Sequence, residues 1–121
     1  KRAAAKGLET RVFTEPFSSN DRSLAENEDL GQIKLLLDPR DKPVGVQILG
    51  PQAGELLSEW VASLNSGARL TTLAGAIHPY PTLAEINKRV VGNVLELKIF
   101  SETMQKALKF FFNFKGRACG V

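Results

Sequence analysis

The sequence predicts an α+β domain: a small antiparallel sheet with helices packed on one side. Three observations carry this. Gln32–Leu37 and Val44–Leu49 each alternate apolar and polar residues, on either side of the turn-forming run Asp38-Pro39-Arg40-Asp41-Lys42-Pro43. Ala53–Leu64 then spaces Leu56, Leu57, Trp60, Val61 and Leu64 as a helix does. The chain has 121 residues, which suits one domain. At this size roughly two-thirds of the unfolded surface is buried, enough for a core without disulfides or metals.

The elements follow in order. Lys1 to Leu8 reads as the tail of a preceding helix, Arg2-Ala3-Ala4-Ala5-Lys6, stopped at Gly7, as if the chain continued one that began earlier. Thr10–Pro16 is a strand carrying Val12 and Phe13. Ser19-Asn20-Asp21 offers caps for a short helix over Asp21–Ala25. Ile33, Leu35 and Leu37 share one face of the next strand, and Val44, Val46 and Ile48 one face of the third, so the two form an antiparallel hairpin. Gly50-Pro51 ends it, and Gly67 stops the helix that follows. Thr71–Ala76 reads as a second short helix and Thr82–Val91 as a third. Leu95–Ile99 alternates and reads as a strand or a link. Ser101 caps a final helix to about Phe112, with Met104, Ala107, Leu108 and Phe111 on one face.

Composition excludes several classes. A net charge of +3 with scattered basic residues is too weak for a nucleic-acid surface. No apolar run reaches the roughly 20 residues of a membrane span. The one cysteine, Cys119, rules out an internal disulfide and fits a reducing, cytoplasmic compartment. A redox role for Cys119 would need a second thiol. No metal cluster can be assembled around the single histidine, His78.

Two motifs stand at places where chemistry is found. Gly50-Pro51-Gln52-Ala53-Gly54-Glu55 joins strand to helix, yet lacks both the Lys-Ser/Thr pair of a phosphate loop and the three-glycine dinucleotide spacing. It reads as a tight turn in which Gly54 allows close packing. Thr82-Leu83-Ala84-Glu85 is a capping box: the Thr82 side chain accepts from the Glu85 amide and Glu85 reaches back to the Thr82 amide. The run Phe110-Phe111-Phe112 cannot face one side of a helix, so it is buried on two sides or meets another domain or subunit.

Three stretches together resemble the C-terminal dimerisation domain of the pyridine nucleotide-disulfide oxidoreductases, the family of dihydrolipoamide dehydrogenase and mercuric reductase. They are the hairpin Gly31–Asp38 with Val44–Gly50, the Gly50–Glu55 turn, and His78-Pro79-Tyr80-Pro81-Thr82-Leu83-Ala84-Glu85, which is similar to the family's His-x-His-Pro-Thr-Leu-Ser-Glu. The order matches over about Thr10 to Val91. The resemblance implies one domain, 1–121, of a longer FAD- and NAD(P)-dependent oxidoreductase whose cofactor domains and cysteine pair precede it. It implies a homodimer in which the His-Pro-Thr turn completes the partner subunit's active site, with Pro81 facing the partner's flavin and the bond before it cis. This fragment alone binds no cofactor and has no redox activity on that reading. The other reading is a non-catalytic protein-interaction domain that reuses the fold.

The site residues are Tyr80, Glu85 and His78. The family's acid-base histidine stands five residues before the glutamate, and that position here is Tyr80. Aligning His78-Pro79 as the His-Pro pair instead would place Leu83 where the glutamate belongs. Histidine titrates near ~6.5 and tyrosine near ~10. A tyrosine base at pH 7 would need its pKa lowered by about three, worth about 4 kcal/mol. A neutral phenol can still donate a hydrogen bond. The expectation is that Tyr80 positions or polarises a substrate, and that the parent enzyme is not an ordinary dithiol dehydrogenase.

Overall fold

The computed structural model describes residues 9–100, together with Gly7 and Lys106. Strand β1 (Arg11–Pro16) leads into a 3-10 turn, Phe17–Ser19, and the short helix α1 (Asp21–Ala25). Strands β2 (Gln32–Leu37) and β3 (Pro43–Leu49) follow, then α2 (Ala53–Ser66), α3 (Leu70–Gly75) and α4 (Glu85–Ile99). The sheet is antiparallel in the order β1-β2-β3. The α+β expectation is met.

Alternation places the sheet. Ile33, Leu35 and Leu37 are fully buried, and Phe13, Val46 and Ile48 flank them in register on the same face. That face is covered by α4, through Ile86, Val90, Val91 and Val94, and by α2, through Leu56 and Trp60. Each such aliphatic burial contributes about 1.5–3 kcal/mol. Polar links fix the α4–β1 contact: Asn93 Nδ2 donates to Glu15 Oε2 at 2.6 Å, and Ser19 Oγ donates to Glu15 Oε1 at 2.5 Å.

Several expectations need correction. Val44 does not line the inner face, because a bulge opposite Leu36/Leu37 skips it and leaves it exposed. Leu57, Val61 and Leu64 of α2 are 36%, 51% and 41% exposed, so its apolar residues form two faces and only Leu56 and Trp60 enter the core. Leu95–Ile99 is neither strand nor link but the last part of α4, with Leu95 against the core and Leu97 and Ile99 turned outward. The short helix α3 begins one residue earlier than expected. Gly7 has the left-handed φ of +65°; the rest of the 1–8 segment, the Ser101–Phe112 helix with its phenylalanines, and Cys119 lie outside the described residues.

The glycine that matters in the Gly50–Glu55 turn is also another one. A side chain on Gly54 would meet nothing within 4 Å, whereas one on Gly50 would strike the Phe17 ring at 2.4 Å. Gly50, at φ +153°, lets the 3-10 turn pack under the end of β3. At the far end of α2, Gly67 is left-handed and the Ala68 amide donates to the Ser63 carbonyl at 3.0 Å, closing the helix.

Candidate functional site

The His78–Glu85 stretch is held between α1, α2 and the start of α4. Its anchor is Asn20, fully buried between elements. The Asn20 side-chain oxygen accepts from the Ser23 amide at 3.0 Å, capping α1, while its Nδ2 donates to the Thr82 carbonyl at 3.0 Å. Thr82 Oγ1 donates to the Pro79 carbonyl at 2.8 Å. The Tyr80–Pro81 bond is cis, as the resemblance implied.

The capping box forms in half. The Thr82 amide donates to Glu85 Oε2 at 3.3 Å. The Thr82 hydroxyl turns its hydrogen to the Pro79 carbonyl, and no bond from the Glu85 amide to its oxygen forms. Helix α4 therefore begins at Glu85, three residues later than expected, with no side-chain cap at Ala84.

Three of the nominated residues stand on three separate partners. The Tyr80 hydroxyl donates to Asp21 Oδ2 at 3.0 Å, with the residue 70% exposed. Glu85 is engaged by the Thr82 amide. His78 Nε2 lies 2.9 Å from Glu59 Oε1, its side chain only 8% exposed, and its Nδ1 is buried without a hydrogen-bond partner among the described residues. No phenol–carboxylate pair joins Tyr80 to Glu85. The fourth, Pro81, is exposed on the turn.

Electrostatics fix the form of Tyr80. The hydrogen bond to Asp21 raises its pKa above the ordinary phenol value, and the Asp21 charge adds to this. Slight desolvation and the charge of Glu85 push the same way, against Arg89. Tyr80 is thus a neutral donor at pH 7 and not a base. Its protonated form is the one the fold favours, so any stabilisation it gives is complete below pH 10 and is lost as pH rises through the raised pKa. Tyr80 is the only tyrosine, so its ionisation can be followed by ultraviolet absorbance. The expected titration midpoint lies above 10, and Asp21→Asn should bring it down towards 10; identical midpoints for the two proteins would contradict this electrostatic account.

A buried polar cluster backs the turn. Asn87 Nδ2 donates to the Leu56 carbonyl at 3.0 Å and to Glu59 Oε2 at 2.7 Å. Asn87 Oδ1 accepts from Trp60 Nε1 at 2.8 Å. Glu59 therefore joins Asn87 of α4 to His78 of the loop. Lys88 Nζ donates to the Ala76 carbonyl at 3.2 Å and ties down the loop's entry. Asn20, Asp21, Glu59 and Asn87 were not among the sequence's site candidates, because each acts across a long separation in the chain. The buried asparagines were the one available hint: an amide in an apolar helix face needs partners.

Between these elements lies an open cleft of about 460 Å³, lined by Pro81, Thr82, Arg22, Glu26, Glu55 and Glu59. Arg22 of α1 pairs with Glu26 just past the helix end, Nε to Oε1 at 2.6 Å. The remaining carboxylates make the cleft acidic, which opposes the diphosphate of a flavin or nicotinamide dinucleotide. Among the described residues, no group of three or more His, Cys, Asp or Glu could hold a metal ion. No described helix is long and apolar enough to cross a membrane.

Residues 1–91 match the family described as the pyridine nucleotide-disulphide oxidoreductase dimerisation domain. The chain is 41% identical over 83 residues to a dihydrolipoamide dehydrogenase of Chaetomium thermophilum, covering 68% of this chain and 16% of that protein. It is 35% identical over 92 residues to the mitochondrial dihydrolipoyl dehydrogenase of Schizosaccharomyces pombe, covering 75% of this chain and 18% of that one. The chain thus spans less than a fifth of the length of these relatives. Its fold is that of a domain in the HOCl-induced flavoprotein disulfide reductase RclA from Escherichia coli, with a TM-score of 0.70 at 20% identity, over 76% of this chain and 21% of that one.

Proposed function

Since this chain belongs to the dimerisation-domain family of the pyridine nucleotide-disulphide oxidoreductases, we propose that it joins two copies of a longer flavoprotein reductase and completes the partner copy's active site. The observation that carries this is the Tyr80–Pro81 turn. It is clamped from behind by Asn20 and Thr82, yet it offers Tyr80 outward. Such a turn is built to be presented to something outside its own fold. FAD and NAD(P) belong to other domains of the parent enzyme on this reading, in keeping with the acidic cleft. Pro81 would face the partner's flavin without holding it. A reducing, cytoplasmic setting is part of the reading.

The pairing surface we assign to α2. Leu57 and Val61 lie at i and i+4 on its exposed side. Its only charged residues, Glu55 and Glu59, sit in its first half and line the cleft. An uncharged, apolar helix face is suited to a homodimer core. Val61→Asp in the full-length oxidoreductase is expected to convert a dimer into monomers in sedimentation and to abolish NAD(P)H-dependent turnover. A dimer with normal turnover would overturn the assignment.

Tyr80 is proposed as the hydrogen-bond donor that positions or polarises the substrate, with Glu85 holding the turn rather than sharing its proton. His78 supports the turn through Glu59 and has no direct part in proton transfer. In the dimeric enzyme Tyr80→Phe should lower kcat about tenfold, the equivalent of one hydrogen bond of about 1.4 kcal/mol. Unchanged turnover with disulfide and metal-ion substrates alike would remove the phenol from the mechanism.

A further inference from the structure

At the other end of α4 is a second cleft, also of about 460 Å³, walled by the β2–β3 loop, the α2–α3 connection and α4 itself. It lies about 15–20 Å from the Tyr80 turn, given 1.5 Å of rise for each of the residues from Glu85 to Lys98. Arg40, Lys42, Arg69 and Lys98 converge on it from those three elements. The single acid among its lining residues, Asp41, is already shared by Arg11 and Lys98, the latter at 2.5 Å. Arg40, Lys42 and Arg69 make no ion pair among the described residues.

Positive charge outweighs negative here. The cleft holds four of the sixteen basic residues and one of the thirteen acidic ones. The remaining twelve of each sign balance, so this cleft accounts for the whole net charge of +3. Its floor is apolar, formed by Leu64, Leu70 and Leu95. Cations on long, exposed stems around an apolar floor fit an extended acidic chain better than a small anion, which would be left largely in water.

We propose that this cleft docks an acidic segment of a partner protein, with carboxylates on the basic rim and one apolar side chain on the Leu64–Leu95 floor. The site is independent of the Tyr80 turn and does not rest on the function proposed above. Charge complementarity of this kind steers association and makes it sensitive to salt.

The test uses the full-length protein and a labelled peptide of Asp and Glu residues around a central Leu, followed by fluorescence polarisation. Binding is expected at low salt and should weaken as salt rises. The double variant Lys42→Glu/Arg69→Glu should weaken it by on the order of tenfold, because two attractive rim charges become repulsive. Lys34→Glu, on the sheet, should not. A central Ser in place of Leu should also weaken binding. Equal binding of a peptide with Gln and Asn in place of the acids would overturn the proposal. So would an unaltered affinity in the double variant, or displacement by free glutamate at concentrations similar to the peptide's.

Discussion

Asn87→Ala is expected to lower the unfolding free energy by about 3 kcal/mol, from three lost hydrogen bonds of about 1 kcal/mol each. Alanine leaves the indole N–H of Trp60 buried without its acceptor and takes donors from the Leu56 carbonyl and from Glu59. Trp60 is fully buried and is the only tryptophan, so its emission reports the loss directly. Urea unfolding followed by that emission measures the effect. A decrease below about 1 kcal/mol would mean that the cluster adds little beyond ordinary packing. The expected loss exceeds that of an average substitution because the carboxylate of Glu59 would then have only His78 to meet it on this side. The Tyr80 turn would loosen along with the cluster, since His78 precedes it by two residues.

Gly31→Ala should cost about 3 kcal/mol or more, through backbone strain together with overpacking. Its φ of +118° is open to glycine and scarcely to other residues. An added Cβ would also fall 1.9 Å from the Leu49 carbonyl oxygen, a backbone atom that cannot swing aside. The Gly31 carbonyl accepts from the Phe17 amide at 3.1 Å, so displacing Gly31 disturbs the 3-10 turn as well. Gly54→Ala is the matched control: nothing stands within 4 Å, and in the first turn of α2 alanine should gain roughly 0.5–1 kcal/mol. A loss for Gly31→Ala no larger than the change in Gly54→Ala would overturn the account based on the left-handed φ and the close approach to Leu49.

The contrast between these two glycines shows what the sequence could carry. Strands β2 and β3 were legible because Ile33, Leu35 and Leu37 alternate on a sheet with one buried face. Helix α2 was legible from its spacing, but not which of its two apolar faces was inward. Nothing local distinguishes Trp60 from Val61; the position of β3 does. Leu95, Leu97 and Ile99 alternate as a strand would, yet α4 continues through them because Val94 and Leu95 reach the sheet at helical spacing. At the turn, the capping box misled by one hydroxyl. The pattern foretold a reciprocal Thr82–Glu85 exchange, and only the bond from the Thr82 amide to Glu85 forms, while the Thr82 hydroxyl donates to Pro79. The partners of the site residues were beyond reach, since Asp21 is 59 positions from Tyr80 and Glu59 is 19 from His78. What sequence did establish was the family, through three motifs in the right order.

Asn20 and Thr82 lie 62 positions apart, and one amide joins them. A contact so distant in the chain must close a long loop, so the turn is expected to acquire its shape late in folding. A synthetic peptide of His78–Glu85 would then carry the motif's letters without its geometry. Transplanting the motif to another scaffold would require an equivalent of Asn20 to be supplied with it. A circular permutant opened in the β2–β3 loop, by contrast, should keep the turn intact, because both ends of that one amide bridge stay inside the rejoined chain.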